Sequence, residues 1–187
     1  MLSHTDFELS SSPGVPDGVY AVPKGDLGST FFVDSRVHTR SGSACDDGHH
    51  TECAVGHSLR LRTARAGEGV VLSMVTFNFT HFNLLHRGPF NLTLSALTDA
   101  AAGASLQVSL SNFVGEPSCC DAAGITTLTL PADDGSLTFS KLSAVLSVPT
   151  TCTTGCQPTI ELVSGSTTAW IDDVVLTPVG QRPLNDH

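Results

Sequence analysis

Six cysteines carry the clearest chemistry in this chain: Cys45, Cys53, Cys119, Cys120, Cys152 and Cys156. An even count in loop-like surroundings fits three disulfides and an oxidising compartment. Cys45 and Cys53 flank a Gly- and His-containing loop and are expected to pair. Cys119 and Cys120 are adjacent and are expected to bond to Cys152 and Cys156, in an order that the residues leave open. That would staple the segment near 114–124 to the segment near 150–157. Zinc competes for the first loop, where Cys45, His49, His50, Cys53 and His57 stand at ligand-like spacings; the tight Cys-x2-Cys pairs of structural zinc sites are missing there. Acidic pairs occur at Asp46-Asp47, Asp133-Asp134 and Asp172-Asp173. Neighbours in a strand point to opposite faces, and the other two pairs sit in turn-like segments, so none makes an acid/base pair. Neither a Gly-x-Ser-x-Gly elbow nor a His-Glu-x-x-His helix is present. These residues point away from catalysis.

Two Asn-x-Thr sequons, Asn78-Phe79-Thr80 and Asn91-Leu92-Thr93, agree with the cysteines. Together they predict a secreted or cell-surface protein, with Asn78 and Asn91 as glycan acceptors. The start, Met1-Leu2-Ser3-His4-Thr5-Asp6, lacks the basic and apolar regions of a signal peptide, so the chain reads as a mature or excised piece.

The elements that must hold these groups are strands. Ser and Thr fill roughly a fifth of the 187 residues, Gly contributes 17, and the surface helix formers Glu, Lys, Gln and Met are scarce. Charged residues make up 14%, against the ~25% of an average domain. The net charge of −9 and only two lysines, Lys24 and Lys141, argue against nucleic acid and anionic membranes. No apolar run reaches the ~18 residues of a transmembrane helix, so no membrane insertion is expected. Alternation and turn residues mark short strands near 6–9, 19–22, 30–33, 58–63, 70–79, 90–97, 105–111, 125–130, 137–148, 159–163 and 169–176. This spacing fits an all-β, two-sheet antiparallel sandwich over 1–178, with a polar tail at 179–187. Alternation turns Phe90, Leu92 and Leu94 inward and Asn91 and Thr93 outward; Phe77 and Phe79 likewise turn inward and Asn78 outward. If these two strands formed a hairpin, both glycans would share one sheet face.

Three segments then stand out: Thr5-Asp6-Phe7-Glu8-Leu9, Gly56-His57-Ser58-Leu59-Arg60-Leu61 and Ala169-Trp170-Ile171-Asp172-Asp173-Val174-Val175-Leu176. The set resembles non-catalytic carbohydrate-binding modules of the galactose-binding-like jelly-roll fold, and the likeness spans nearly the whole chain. The chain departs in carrying Ala96 where those modules often have Trp, and in the Cys-bearing insertion 43–56. The resemblance implies a structural calcium held by Glu8 of the first strand and Asp172 of the last, with Asp173 as the alternative. The residues fit that implication: Asp172 is read on the same side as Val174 and Leu176, at the edge of an apolar face, where a hard cation would offset the burial of a carboxylate. The competing reading has both Asp side chains bonding backbone amides or a nearby Arg.

The ligand implied is a polysaccharide or a glycoprotein glycan. Trp170, in the closing strand, is assigned to the core. Tyr20 follows a turn cluster and is the aromatic candidate for ligand contact; His81, Phe82, Asn83 and His86 form a candidate polar–aromatic rim. With one Trp and one Tyr, the chain is poor in sugar platforms. The alternative is therefore a structural or adhesion module that packs against other domains or subunits of an extracellular assembly and binds no sugar itself.

Overall fold

A computed structural model describes residues 3–5, 19–24, 30–34, 58–63, 65, 69–74, 89–112, 119–132, 135, 138–150, 152, 156–163 and 165–179. Eleven strands run in chain order among them: β1 (Ser3–Thr5), β2 (Val19–Lys24), β3 (Thr30–Asp34), β4 (Ser58–Thr63), β5 (Gly69–Met74), β6 (Phe90–Thr98), β7 (Ala104–Asn112), β8 (Ile125–Leu130), β9 (Ser140–Leu146), β10 (Cys156–Leu162) and β11 (Thr167–Pro178). The helical content of the described residues is one short 3-10 turn, Cys120–Ala123. No helix there is long and apolar enough to cross a membrane.

The strands form two antiparallel sheets. The first has the order β3-β4-β11-β6-β9, with β1 added against β11. The second has the order β2-β5-β10-β7-β8. This is the predicted all-β, two-sheet antiparallel jelly-roll sandwich. Period-two alternation builds the core between the sheets. Phe90, Leu92 and Leu94 of β6 meet Leu59 and Leu61 of β4 and Ala169 and Ile171 of β11 on one side; Leu106, Val108 and Leu110 of β7 and Ile160 and Leu162 of β10 line the other. Each of these side chains is at most 2% exposed.

The connection from β6 to β7, through Asp99-Ala100-Ala101-Ala102-Gly103, is a tight turn. Gly103 closes it with φ +79°, and its N–H donates to Ala100 O at 2.9 Å. A Cβ there would stand 2.5 Å from Leu130 O, so both the turn and the close approach require glycine.

Sequence and structure part at three places in these sheets. The hairpin expected between the strand near 70–79 and β6 is not seen over the described residues: β5 lies in the second sheet between β2 and β10, whereas β6, with Asn91, lies in the first between β11 and β9, and Asn78 lies outside the described residues. Asp172 is not on the side of Val174 and Leu176, because β11 contains a bulge. Asp172 pairs Ser95 and Val175 pairs Thr93, leaving Asp173 and Val174 together against Leu94. Asp173 adopts φ 48°, a left-handed conformation that a short carboxylate tolerates. The extra residue shifts the alternation, so Ala169 and Ile171 face the core before the bulge and Val174 and Leu176 after it. Trp170 falls on the outer face for the same reason. It is buried, but it is not a member of the core cluster between the sheets.

Candidate functional site

The outer face of the second sheet is built from the alternate positions that the core does not use. Register runs straight across all five strands. Tyr20 pairs Ser73, Ser73 pairs Thr159, Thr159 pairs Ser109 and Ser109 pairs Ile125. The next row runs Val22, Val71, Glu161, Gln107 and Thr127. On the other side of the first row stand Gln157 and Ser111, a cross-strand pair on β10 and β7. At ~4.8 Å per strand the face is about 19 Å wide.

Two neighbouring pairs on this face behave differently. Ser109 Oγ and Thr159 Oγ1 are 2.7 Å apart, and Thr159 Oγ1 also donates to Ser109 O at 3.3 Å. Gln157 Oε1 and Ser111 Oγ are equally withdrawn from solvent, yet neither makes a hydrogen bond. Gln157 is 8% exposed. A buried amide oxygen without a donor is destabilising by about 1–3 kcal/mol, so the pair has capacity left for an incoming hydroxyl.

A covalent clamp sits at this end of the rows. Disulfides join Cys119 to Cys152 and Cys120 to Cys156, which settles the pairing order. Cys156 immediately precedes Gln157. Asn112 follows Ser111, and its Oδ1 accepts the backbone N–H groups of Cys119 and Cys120, both at 3.0 Å. The residues flanking the unpaired atoms are thus tied by two disulfides and two hydrogen bonds. The sequence places this strand from Thr159, because Pro158 breaks the β pattern; the strand begins at Cys156, with Pro158 opposite Leu110 of β7 and beyond the last pair with β5.

The first sheet presents a different outer face. Trp170 Nε1 donates to Asp34 Oδ2 at 3.0 Å, and Arg60 Nη1 lies 3.9 Å from the same oxygen. The Arg60 guanidinium stands 5.6 Å from the Trp170 ring centroid. The sequence offers Arg60 as a nearby Arg for Asp172 or Asp173, whereas no motif singles out Asp34; the alternation of β4 turns Arg60 away from Leu59 and Leu61 and toward Asp34 and Trp170. Beyond the bulge, a groove of about 510 Å³ runs over β6, β9 and β11, lined by Asn91, Thr93, Ser95, Lys141, Ser143 and Asp173 among others. Ser95 Oγ donates to Asp173 Oδ2 at 3.5 Å, and Asp172 Oδ1 accepts the Asp173 N–H at 2.8 Å. Asn91 and Thr93 are half-buried on this face, opposite Phe90 and Leu92.

Asp172 is 1% exposed and stands where β11 changes partner on one edge. β4 pairs it up to Ile171 and β1 from Val174, which leaves 172 and 173 between two strand ends. Among the described residues, no group of three His, Cys, Asp or Glu side chains gathers around it. Glu8, its expected partner, lies outside the described residues, as do Asn78, His81, Phe82, Asn83, His86, Cys45 and Cys53.

The chain matches no protein-family profile and no curated protein. Solved structures do match. The C-terminal family 22 carbohydrate-binding module of Clostridium thermocellum Xyn10B superposes with a TM-score of 0.55 at 14% identity, over 96% of this chain and 94% of the module. The fold is that of a carbohydrate-binding module. The N-terminal CBM22-1–GH10 modules of C. thermocellum xylanase 10B, solved with xylohexaose, give 0.55 at 12% identity over 100% of this chain and 30% of that one. The enzymatically active domain of bacteriophage CBA120 tailspike protein 4 gives 0.54 at 12% identity, over 87% of this chain and 20% of that one. The chain therefore spans under a third of these two larger proteins.

Proposed function

We propose that this domain is a non-catalytic carbohydrate-binding module and that it takes a polysaccharide on the outer face of its second sheet. The observation that carries the reading is the buried pair Gln157 Oε1 and Ser111 Oγ, which make no hydrogen bond at the clamped end of a polar face. A sugar hydroxyl donating to Gln157 and accepting from Ser111 supplies what folding leaves unmade. Ser109, Thr159, Gln107 and Glu161 extend the polar face, and the exposed Ile125 gives an apolar end. Tyr20, at the far end of the same register row, and His81, Phe82, Asn83 and His86 are assigned to contacts beyond it. The likeness to family 22 modules, one in a protein solved with xylohexaose, makes β-linked xylo-oligosaccharides the first ligands to try.

The same reading places the domain outside the cell, with an N-glycan on Asn91 and a second on Asn78. Asn91 is suited to this by its outward position beside the groove of the first sheet. Calcium is assigned to the strand junction at Asp172 and Asp173, with Glu8. In its favour are the buried Asp172 carboxylate and the break in pairing at that edge; β1 runs toward it, because Ser3, His4 and Thr5 pair 176, 175 and 174 in turn. There the ion would supply charge neutralisation and tie two strand ends together. One observation favours the second reading, a structural module without sugar binding: Trp170, the single Trp, is buried against Asp34 and Arg60 and offers no open platform.

A glycan-array screen of the oxidised domain, run with calcium and with chelator, tests both. Retention of a defined polysaccharide class by the isolated domain supports the module reading. A blank array on a folded domain supports the structural one. A thermal midpoint that does not move between calcium and chelator removes the ion from the account.

A further inference from the structure

The clamp contains more sulfur than a clamp needs. Cys119–Cys152 closes a sequence separation of 33. Once it is made, Cys120 and Cys156 are about five residues apart along the cross-linked chain, so the second bridge adds the smaller share of loop-closure stabilisation. Four sulfurs are nevertheless gathered at one point. All four Sγ atoms lie within 4.8 Å of one another. The non-bonded neighbours are 4.0 Å (Cys119 to Cys120), 3.9 Å (Cys120 to Cys152) and 3.8 Å (Cys152 to Cys156). Four thiolates around one zinc ion at ~2.3 Å stand about 3.8 Å apart along the edges of the tetrahedron. Three edges of that tetrahedron are therefore already near length. The two bonded pairs must open, by rotation about the Cα–Cβ bonds that carry the sulfurs, and the sixth edge, Cys119 to Cys156, is no longer than 4.8 Å.

The surroundings suit a closed structural site. Cys120, Cys152 and Cys156 are at most 4% exposed. They come from a 3-10 turn, a loop and the start of β10, and Asn112 fixes the backbone of the vicinal pair through both N–H groups. Among the described residues this is the one group of three or more His, Cys, Asp or Glu side chains close enough together to hold a metal ion.

We infer that Cys119, Cys120, Cys152 and Cys156 form a two-state cluster: two disulfides when oxidised, and a tetrahedral four-thiolate site for one zinc ion when reduced. Each disulfide takes two electrons and two protons from one dithiol, which closes its own disulfide, and four thiols result. Zinc then displaces the four thiol protons and forms four Zn–S bonds, giving a centre of net charge −2. Both states tie the 3-10 turn to β10, so the end of the sheet holding Gln157 and Ser111 stays in place in either redox environment. This inference is independent of sugar binding.

The full chain is reduced with a phosphine, which removes each disulfide as two thiols while its phosphorus takes an oxygen from water. It is then titrated anaerobically with Co²⁺ and afterwards with Zn²⁺, with circular dichroism following the sheets. The expected result is one cobalt per chain with the visible bands of a tetrahedral thiolate centre, displaced by one equivalent of zinc. The oxidised chain should show no such bands. Cys45→Ser/Cys53→Ser should keep them, and Cys120→Ser/Cys156→Ser should lose them. A reduced chain without the bands overturns the inference, whether its sheets survive or not. So does a spectrum retained by Cys120→Ser/Cys156→Ser or abolished by Cys45→Ser/Cys53→Ser.

Discussion

The two outer faces of this sandwich hold polar residues in different ways. On the first sheet, most buried polar groups are spent on one another; Arg60 Nε and Asp173 Oδ1 are buried without a hydrogen bond, but each residue is engaged through another atom, Arg60 Nη1 toward Asp34 and Asp173 Oδ2 with Ser95. Asp34 takes the Trp170 indole N–H and faces Arg60, and Asp172 takes the Asp173 N–H. At the end of that sheet Thr98 Oγ1 donates to Thr168 O at 2.8 Å, while Asp99 Oδ1 accepts the Thr168 N–H at 2.8 Å. On the second sheet, Gln157 Oε1 and Ser111 Oγ are buried and make no hydrogen bond. A satisfied buried network stabilises the fold, and an unsatisfied one weakens it unless a ligand completes it. The two faces therefore differ in their pairs: Asp34 and Trp170 are committed to each other on the first, while Gln157 and Ser111 leave a whole cross-strand pair uncommitted on the second.

The clamp beside Gln157 gives the largest effect with which to sharpen this contrast. By loop-closure entropy a first disulfide over a separation of 33 is worth about 4 kcal/mol and a second within it about 2 kcal/mol. Removing either bridge alone as a Ser pair is expected to destabilise by about 2 kcal/mol, and removing both by about 6 kcal/mol. Denaturant unfolding of the three variants checks this, and simple additivity of the two single values would contradict it. On the first face, Asp34→Ala strips Trp170 and Arg60 of a shared acceptor. A loss of about 2–3 kcal/mol is expected, discounted because Arg60 is 30% exposed, with polysaccharide affinity unchanged. If Asp34→Ala abolishes binding at a temperature where the domain is folded, the division between the faces fails. Gly103→Ala, far from either feature, is expected to lose about 2 kcal/mol through its left-handed backbone and the contact with Leu130 O. Thermal melts measure it.

Much of the fold is legible in the chain because strand alternation is a local signal. Phe90, Leu92 and Leu94 declare their face in sequence, and Ile125–Leu130 and Ser58–Thr63 are strands with the bounds that the residues suggest. The adjacency of Cys119 and Cys120 argues against a bond between them, and with Cys45 expected to pair with Cys53 it points them to Cys152 and Cys156; which pairs with which depends on tertiary placement. The bulge is where local reading fails. Alternation assumes one residue per step, and the left-handed Asp173 inserts an extra one, so Asp172 and Trp170 change faces. Nothing in Trp170-Ile171-Asp172-Asp173 announces this, because the usual bulge signal is glycine. The partnership of Asp34 with Trp170 spans 136 residues and is equally invisible to a local pattern. Gln157 and Ser111 escape notice for another reason: their chemistry is an absence of partners, and only packing defines that.

The smallest effect on stability belongs to the pair that matters most for binding, and it is also the most direct test of the central claim. Gln157→Leu combined with Ser111→Ala replaces two unpartnered buried polar atoms by apolar ones, so the thermal midpoint should hold or rise, by up to about 1 kcal/mol of added stability. Titration of the same variant with the polysaccharide that the wild-type domain retains should show binding lost. Full affinity with an unchanged midpoint would contradict the account, because the two unspent atoms on the second sheet would then have nothing to do with the ligand.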